Sequence, residues 1–125
     1  MARLLAFNPK SGEFTEFEQE TLQDFYDKLE CDCFDIASRK VGTEGRRYDI
    51  FVDDVGLLKE NPIISAIDSH FRPALVGNLV FANHDNEGNT TSLSDDDIKY
   101  IKSCKGVIKD VEIGATWHII ADVDY

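Results

Sequence analysis

Apolar positions recur along the chain with two periods. Arg3-Leu4-Leu5-Ala6-Phe7 is a short, mostly apolar run ended by Asn8-Pro9 and Ser11-Gly12, which predicts a first strand followed by a turn. Phe14, Phe17, Leu22, Phe25 and Leu29 then recur at the helical period, and Thr15 with Glu18 three residues later has the form of a capping box. A first helix is predicted from there to Glu30. Residues 33–41 and 48–53 are alternating or rich in strand formers, separated by Gly42-Thr43-Glu44-Gly45, as in an antiparallel hairpin. Asp53-Asp54-Val55-Gly56 predicts a turn. Asn61-Pro62 predicts a cap opening a short helix through Ile63, Ile64 and Ile67, which ends before Arg72-Pro73.

In the second half, residues 75–83 predict a strand containing Gly77, and residues 84–89 a polar segment with a Gly88-Asn89 turn. The last helix is the most fully specified. Ser94 caps it, Leu93 and Ile98 form a hydrophobic staple, and Asp95, Asp96 and Asp97 occupy the first turn, where the helix dipole favours anions. Lys99, Lys102 and Lys105 approach its far end and Gly106 offers a left-handed cap. Strand sequence follows in residues 107–113 and 115–123, split by Gly114. Together these elements predict one α+β domain over residues 1–125. Its mainly antiparallel sheet has about five or six strands, with two longer helices and one short helix.

Composition narrows the classes of function. A length of 125 residues with 42% hydrophobic content suits one domain with one core. Neither a charged leader with an apolar h-region nor a run of about 18 apolar residues occurs, so a cytosolic chain is expected. Cys31, Cys33 and Cys104 are an odd number, which argues against a disulfide framework.

Charge changes the picture most. With 24 Asp and Glu against 13 Lys and Arg, the formal net charge is −11. Direct binding to nucleic acid or an anionic membrane is disfavoured, because it would gather like charges instead of releasing counterions. The natural partner is a basic protein surface; the alternative is that acidity serves solubility alone. On the predicted first helix, Glu13, Glu16, Glu20, Asp24, Asp27 and Glu30 fall opposite the apolar residues. Beyond the first turn such carboxylates gain nothing from the dipole and repel one another at i,i+4. Successive turns place them about 5–6 Å apart, a spacing that imitates neighbouring phosphates. The competing reading is an ordinary solvated helix face. Asp95 to Asp97 already have a structural cause in capping.

Catalytic motifs are missing from the sequence. No serine sits in a Gly-x-Ser-x-Gly context, and Gly42 to Gly45 lacks the Lys-Ser/Thr of a phosphate-binding loop and opens no helix, so it reads as a turn. An enzyme acting on a small nucleotide signal would need His84, Asp85 and Asp54 to converge in a pocket. One cofactor is left open, a structural zinc. Cys31-Asp32-Cys33 at the entry to a strand would put two thiols on one side, with further ligands drawn from His70, His84, His118, Cys104 or the acidic residues. Otherwise Cys31 and Cys33 are reduced cysteines partly packed in the core.

The run Tyr48-Asp-Ile-Phe-Val-Asp-Asp-Val-Gly-Leu-Leu-Lys-Glu-Asn-Pro62 resembles a family of small uncharacterised proteins carried by phages, plasmids and conjugative elements of Gram-positive bacteria. Gly77-Asn-Leu-Val-Phe-Ala-Asn-His-Asp-Asn-Glu-Gly-Asn89 and Thr91-Ser-Leu-Ser-Asp-Asp-Asp-Ile98 continue it in order and spacing. The resemblance covers most of residues 20–103, and both chain ends depart from it. It implies a context and no chemistry: small acidic proteins of such elements are often anti-defence factors, including anti-CRISPR proteins. The expected function is therefore a non-enzymatic inhibitor that binds a basic, nucleic-acid-binding protein, a Cas9-type nuclease, and blocks DNA loading. Expected binding residues are Glu13, Glu16, Glu20, Asp24, Asp27, Asp95, Asp96 and Asp97, with Asp53, Asp54 and Glu87 secondary. The rival expectation is a zinc-stabilised accessory or regulatory protein with Cys31 and Cys33 as ligands and no defence target.

Overall fold

The central strands are apolar on both faces, and this decides the architecture. In the computed structural model, which describes residues 2–9, 11–31, 33–42, 44–53, 64–67, 73–110 and 114–123, the chain begins with β1 (Ala2–Asn8), β2 (Glu13–Gln19), α1 (Leu22–Leu29), β3 (Phe34–Val41) and β4 (Arg46–Asp53). It continues through β5 (Ile64–Ile67), β6 (Pro73–Val76), β7 (Leu79–His84), β8 (Thr90–Thr91), α2 (Asp95–Ser103), β9 (Lys105–Asp110) and β10 (Gly114–Val123). The class is α+β, as expected. Six strands in the order β2-β1-β7-β4-β3-β10 pair antiparallel throughout. Beyond β10 the path extends to β5 and β6, while β8 attaches to β7 and β9 to β10, making ten strands among the described residues. The β10–β5 ladder is parallel.

Alternation sorts the core into two clusters. Leu4, Ala6, Phe51, Val80 and Ala82 face one side and meet Phe25 and Leu29 of α1. Leu5, Phe7, Ile50, Leu79 and Phe81 face the other and meet Ile98 and Ile101 of α2, together with Ala66 of β5 and Leu75 of β6. Each helix thus covers one face. On the α1 side, the Phe25 ring stacks on Phe51 at 4.2 Å, and Phe34 packs against both rings.

The predicted first helix is overturned in its first half. Glu13–Gln19 is the strand β2, paired along its whole length with β1, and α1 begins only at Leu22. Phe14 and Phe17 explain the error, because three residues apart on a strand they point to opposite faces. Phe14 stands opposite Phe7 and Phe17 opposite Leu4, so each ring joins a different core cluster. The capping role belongs to Asp24 and not to Glu18. Asp24 accepts hydrogen bonds from the backbone N–H groups of Glu20 (2.7 Å) and Thr21 (2.9 Å). Those bonds, Thr21 first and then Glu20, hold its carboxyl below the usual range.

Three further expectations fail. Ile64–Ile67 is a strand and not part of a short helix: its β-branched residues suit the ladders to β10 and β6, and four residues cannot distinguish the two periods. The predicted cap at Asn61-Pro62 and the turn at 54–56 lie outside the described residues. Gly106 lies in β9, and α2 ends instead on Cys104 in right-handed conformation. Gly77, at φ +79°, divides the predicted strand 75–83 into β6 and β7.

The predicted start of α2 is borne out. Asp97 N–H donates to Ser94 Oγ (3.0 Å), and Ser94 N–H donates to Asp97 Oδ2 (3.1 Å), closing the capping box. Asp97 also accepts from the Tyr48 hydroxyl (2.8 Å) and the Asn83 amide (3.1 Å), which ties α2 to β4 and β7. Burial pushes its carboxyl up, but the bonds from Ser94, Tyr48 and Asn83 outweigh burial and leave it below the ordinary carboxylate value. Burial, reinforced by Asp97, raises the Tyr48 phenol. The unfolded chain therefore binds a proton at Asp97 more readily than the folded one. Stability from this residue is fully present above the unfolded value of 3.8 and is lost as pH falls through the lower folded value. Asp97→Ala is expected to lower stability by about 1–3 kcal/mol at neutral pH. In urea titrations at pH 7 and pH 3, the gap between wild type and variant should shrink at the lower pH.

The glycine turn between β3 and β4 is also as expected, with Gly45 N–H bonded to the Gly42 carbonyl at 3.3 Å. Both glycines have positive φ, +71° and +66°, but only Gly42 is crowded. A Cβ there would collide with Cys104 Sγ and come within 2.5 Å of the Tyr100 hydroxyl, which itself donates to the Val41 carbonyl. At Gly45 nothing lies within 4 Å. Gly42→Ala is expected to cost roughly 2–4 kcal/mol, and Gly45→Ala only the backbone strain of about 1–2 kcal/mol. Equal shifts of the thermal midpoint in the two variants would refute the packing of this turn on α2.

Candidate functional site

The carboxylates expected on one helix stripe are dispersed by the fold. Glu13 and Glu16 lie on β2, Glu20 precedes α1, and Asp24 and Asp27 lie on α1. A continuous helical ladder imitating phosphates does not exist, because β2 has the period of a strand. What the fold builds instead are two acidic surfaces, one on each side of the sheet edge at β2.

On the α2 side, two arginines hold the carboxylates of the first helical turn. Arg3 pairs through Nη1 with Asp95 (2.5 Å) and through Nη2 with Glu16, which also approaches Lys102 at 3.8 Å. The backbone of Arg3 is engaged as well: its N–H donates to Ser92 Oγ (2.9 Å) and its carbonyl accepts from Leu93 N–H (2.9 Å). This residue joins β1, β2 and the entry to α2. Its hydrogen bonds to Glu16 and then Asp95 raise the guanidinium pKa, and the same Arg3 contact draws Glu16 down. Arg46 lies over the Tyr100 ring at 4.3 Å and donates to Asp96 at 2.8 Å. Asp95 and Asp96 remain 86% and 77% exposed, so these ion pairs are solvated and add little to stability. Glu16 thus comes together with Asp95, 79 positions further along the chain.

On the α1 side, the β1–β2 turn and the end of α1 enclose a cleft of about 190 Å³. Glu13, Asp27 and Glu30 line it with Lys28, Ser11 and Asn78. The Asn78 amide donates to the Lys28 carbonyl (3.2 Å) and to Glu30 Oε2 (3.0 Å), closing the helix end where Glu30 adopts φ 53°. Asp27 accepts from Gln23 at 2.9 Å, one turn back. Carboxylates beside the negative end of a helix make a cleft that favours a cation. Its open, polar shape suits the tip of a lysine or arginine side chain. Asn78 and Arg3 organise these surfaces but carried no periodic signal; Asn78 follows Gly77, and that glycine was the available clue. Glu20 and Asp24 sit at the other end of α1, where Asp24 is engaged in capping.

The remaining candidates are scattered. Cys31 is half-buried against the α1-side core, Cys33 is exposed, and both lie in the α1–β3 connection, not on a strand. Cys104 packs on the opposite core cluster. Among the described residues, no three His, Cys, Asp or Glu side chains gather closely enough to hold a metal ion. His84 Nδ1 lies 2.9 Å from Asp49, whose other oxygen accepts from Ser38 Oγ at 2.9 Å. Asp49 thus stands between Ser38 and His84, whereas a nucleophile needs the imidazole beside the hydroxyl. Asp85 is occupied in its own turn, accepting from the N–H groups of Glu87 and Asn89, and Asp54 lies outside the described residues. Among the described residues no helix is long and apolar enough to cross a membrane.

Comparison with known proteins finds no match among curated proteins or solved structures. One family model, described as a domain of unknown function (DUF3846), matches residues 2–104. The match begins at the start of β1, so the N-terminal hairpin carrying Glu13 and Glu16 lies within the family domain, although the sequence resemblance was weakest there. Spanning most of the chain, from β1 through α2, that match places this protein in the DUF3846 family.

Proposed function

We propose that the chain is an anti-defence protein of a phage or mobile element, a non-enzymatic inhibitor that binds a Cas9-type nuclease and blocks DNA loading in the bacterial cytoplasm. The observation that carries this reading is the gathering of Glu13, Asp27 and Glu30, from two different elements, around one open cleft in a chain of net charge −11. Channels that hold a nucleic-acid backbone are lined with Lys and Arg, and a carboxylate surface competes with phosphate for them. Asp95 and Asp96 form a second, exposed contribution on the far side of the sheet edge. Asp24 and Asp97 are left out of the proposed contact, because their carboxylates already accept the capping hydrogen bonds. The direct partner is a protein and not nucleic acid.

The test is in vitro DNA cleavage by a panel of Cas nucleases, with the protein added before or after target DNA. Inhibition is expected only when the protein is added first, and it should weaken as salt is raised from 0.1 to about 0.5 M. The double reversal Glu13→Lys with Asp27→Lys should raise the inhibitor concentration needed by at least about tenfold. A full panel left uninhibited, or a reversed variant as potent as wild type, would sink the proposal.

A further inference from the structure

The strand β2 is the outer edge of the sheet. All seven of its residues pair with β1, and among the described residues no strand pairs with its other side. Half of its backbone donors and acceptors therefore point outward, as a template for one more strand. Its two faces differ. Toward α2 it presents Phe14, Glu16 and Glu18, and toward α1 it presents Glu13, Thr15, Phe17 and Gln19.

This pattern selects an occupant. Two copies meeting edge to edge would bring Glu13, Glu16 and Glu18 of one within reach of those of the other, and like charges across a ladder are unfavourable. An extended segment with lysine or arginine at alternate positions meets Glu18 on one face, and beside it Glu16, whose carboxylate is shared with Arg3 and Lys102. Its intervening apolar residues meet Thr15 and Phe17 on the other. Such a segment gains main-chain hydrogen bonds for affinity and cross-strand charge pairs for selection. We infer that β2 captures an extended, alternating basic and apolar strand of the partner protein by edge addition. The inference deepens the reading above, on which it rests for the basic character of the partner.

The probe is the octapeptide Lys-Val-Lys-Val-Lys-Val-Lys-Val, compared with its isomer carrying four lysines followed by four valines. Titration with the alternating peptide should slow amide hydrogen exchange at alternate residues of 13–19, and Glu18→Lys should weaken binding roughly fivefold or more. Glu18 is chosen because Arg3 bonds Glu16 and not Glu18. Since Glu18 stands opposite Arg3 in the ladder, Glu18→Gln, which adds no like charge there, serves as the second variant and should weaken binding in the same direction. The inference is overturned if neither peptide binds, if the isomer binds as tightly, if protection falls outside β2, or if Glu18→Lys binds like wild type. Peptide capture on β2 with no Cas nuclease inhibited would support edge addition and refute the nuclease reading. Nuclease inhibition with β2 unprotected would do the reverse.

Discussion

Burial of the β1–β7–β4 ladder on both faces is the constraint from which the rest follows. Leu4 and Leu5, Val80 and Phe81, and Ile50 and Phe51 are neighbours in sequence that serve opposite cores. A sheet of this kind cannot leave either face to water, because each large apolar side chain contributes about 1.5–3 kcal/mol only when covered. One helix must lie on each side. Neither α1, with eight residues, nor α2, with nine, has the length to be stable alone. Both are held by the faces they cover, through Phe25 and Leu29 on one side and Ile98 and Ile101 on the other.

With both faces occupied, charge is pushed to the rim. The carboxylates collect on the edge strand, at the exposed end of α1 and around the first turn of α2. The fold thereby assembles acidic surfaces from segments that are remote in sequence. On the α2 side, Arg3 joins the segments that carry these carboxylates. Its guanidinium lies between Glu16 and Asp95, while its backbone fixes Ser92 and Leu93 at the helix entry. Charge density and mechanical continuity therefore meet in one residue.

Legibility in the sequence followed how local the determining interactions are. The start of α2 could be read because Ser94, Asp97, Leu93 and Ile98 settle it within five positions. The β3–β4 hairpin could be read because its turn demands glycines at positive φ. The stretch from Phe14 to Gln19 could not, since a three-residue spacing of aromatics fits one face of a helix or the two faces of a doubly covered strand. Pairing with β1, a non-local event, decides between them. Ile64 and Ile67 misled for the same reason. The acidic site was legible as composition but not as geometry: Glu13 and Asp27 belong together, yet across a strand and a helix, and Asn78, which closes their cleft, comes from a distant turn.

The contact of Gly42 with Cys104 and Tyr100 has a chemical corollary. Burial raises the Cys104 thiol, which disfavours its reactive thiolate form in the folded protein. One side of it is covered by the turn between β3 and β4 at Gly42, and that turn is pinned to Tyr100 through Val41 and Glu44. An adduct on this half-buried sulfur would press against the turn at Gly42. Cys104 is thus sensitive to the packing of the hairpin on α2: its labelling quickens when β3 and β4 part from the helix, while exposed Cys33, on another part of the molecule, supplies the reference.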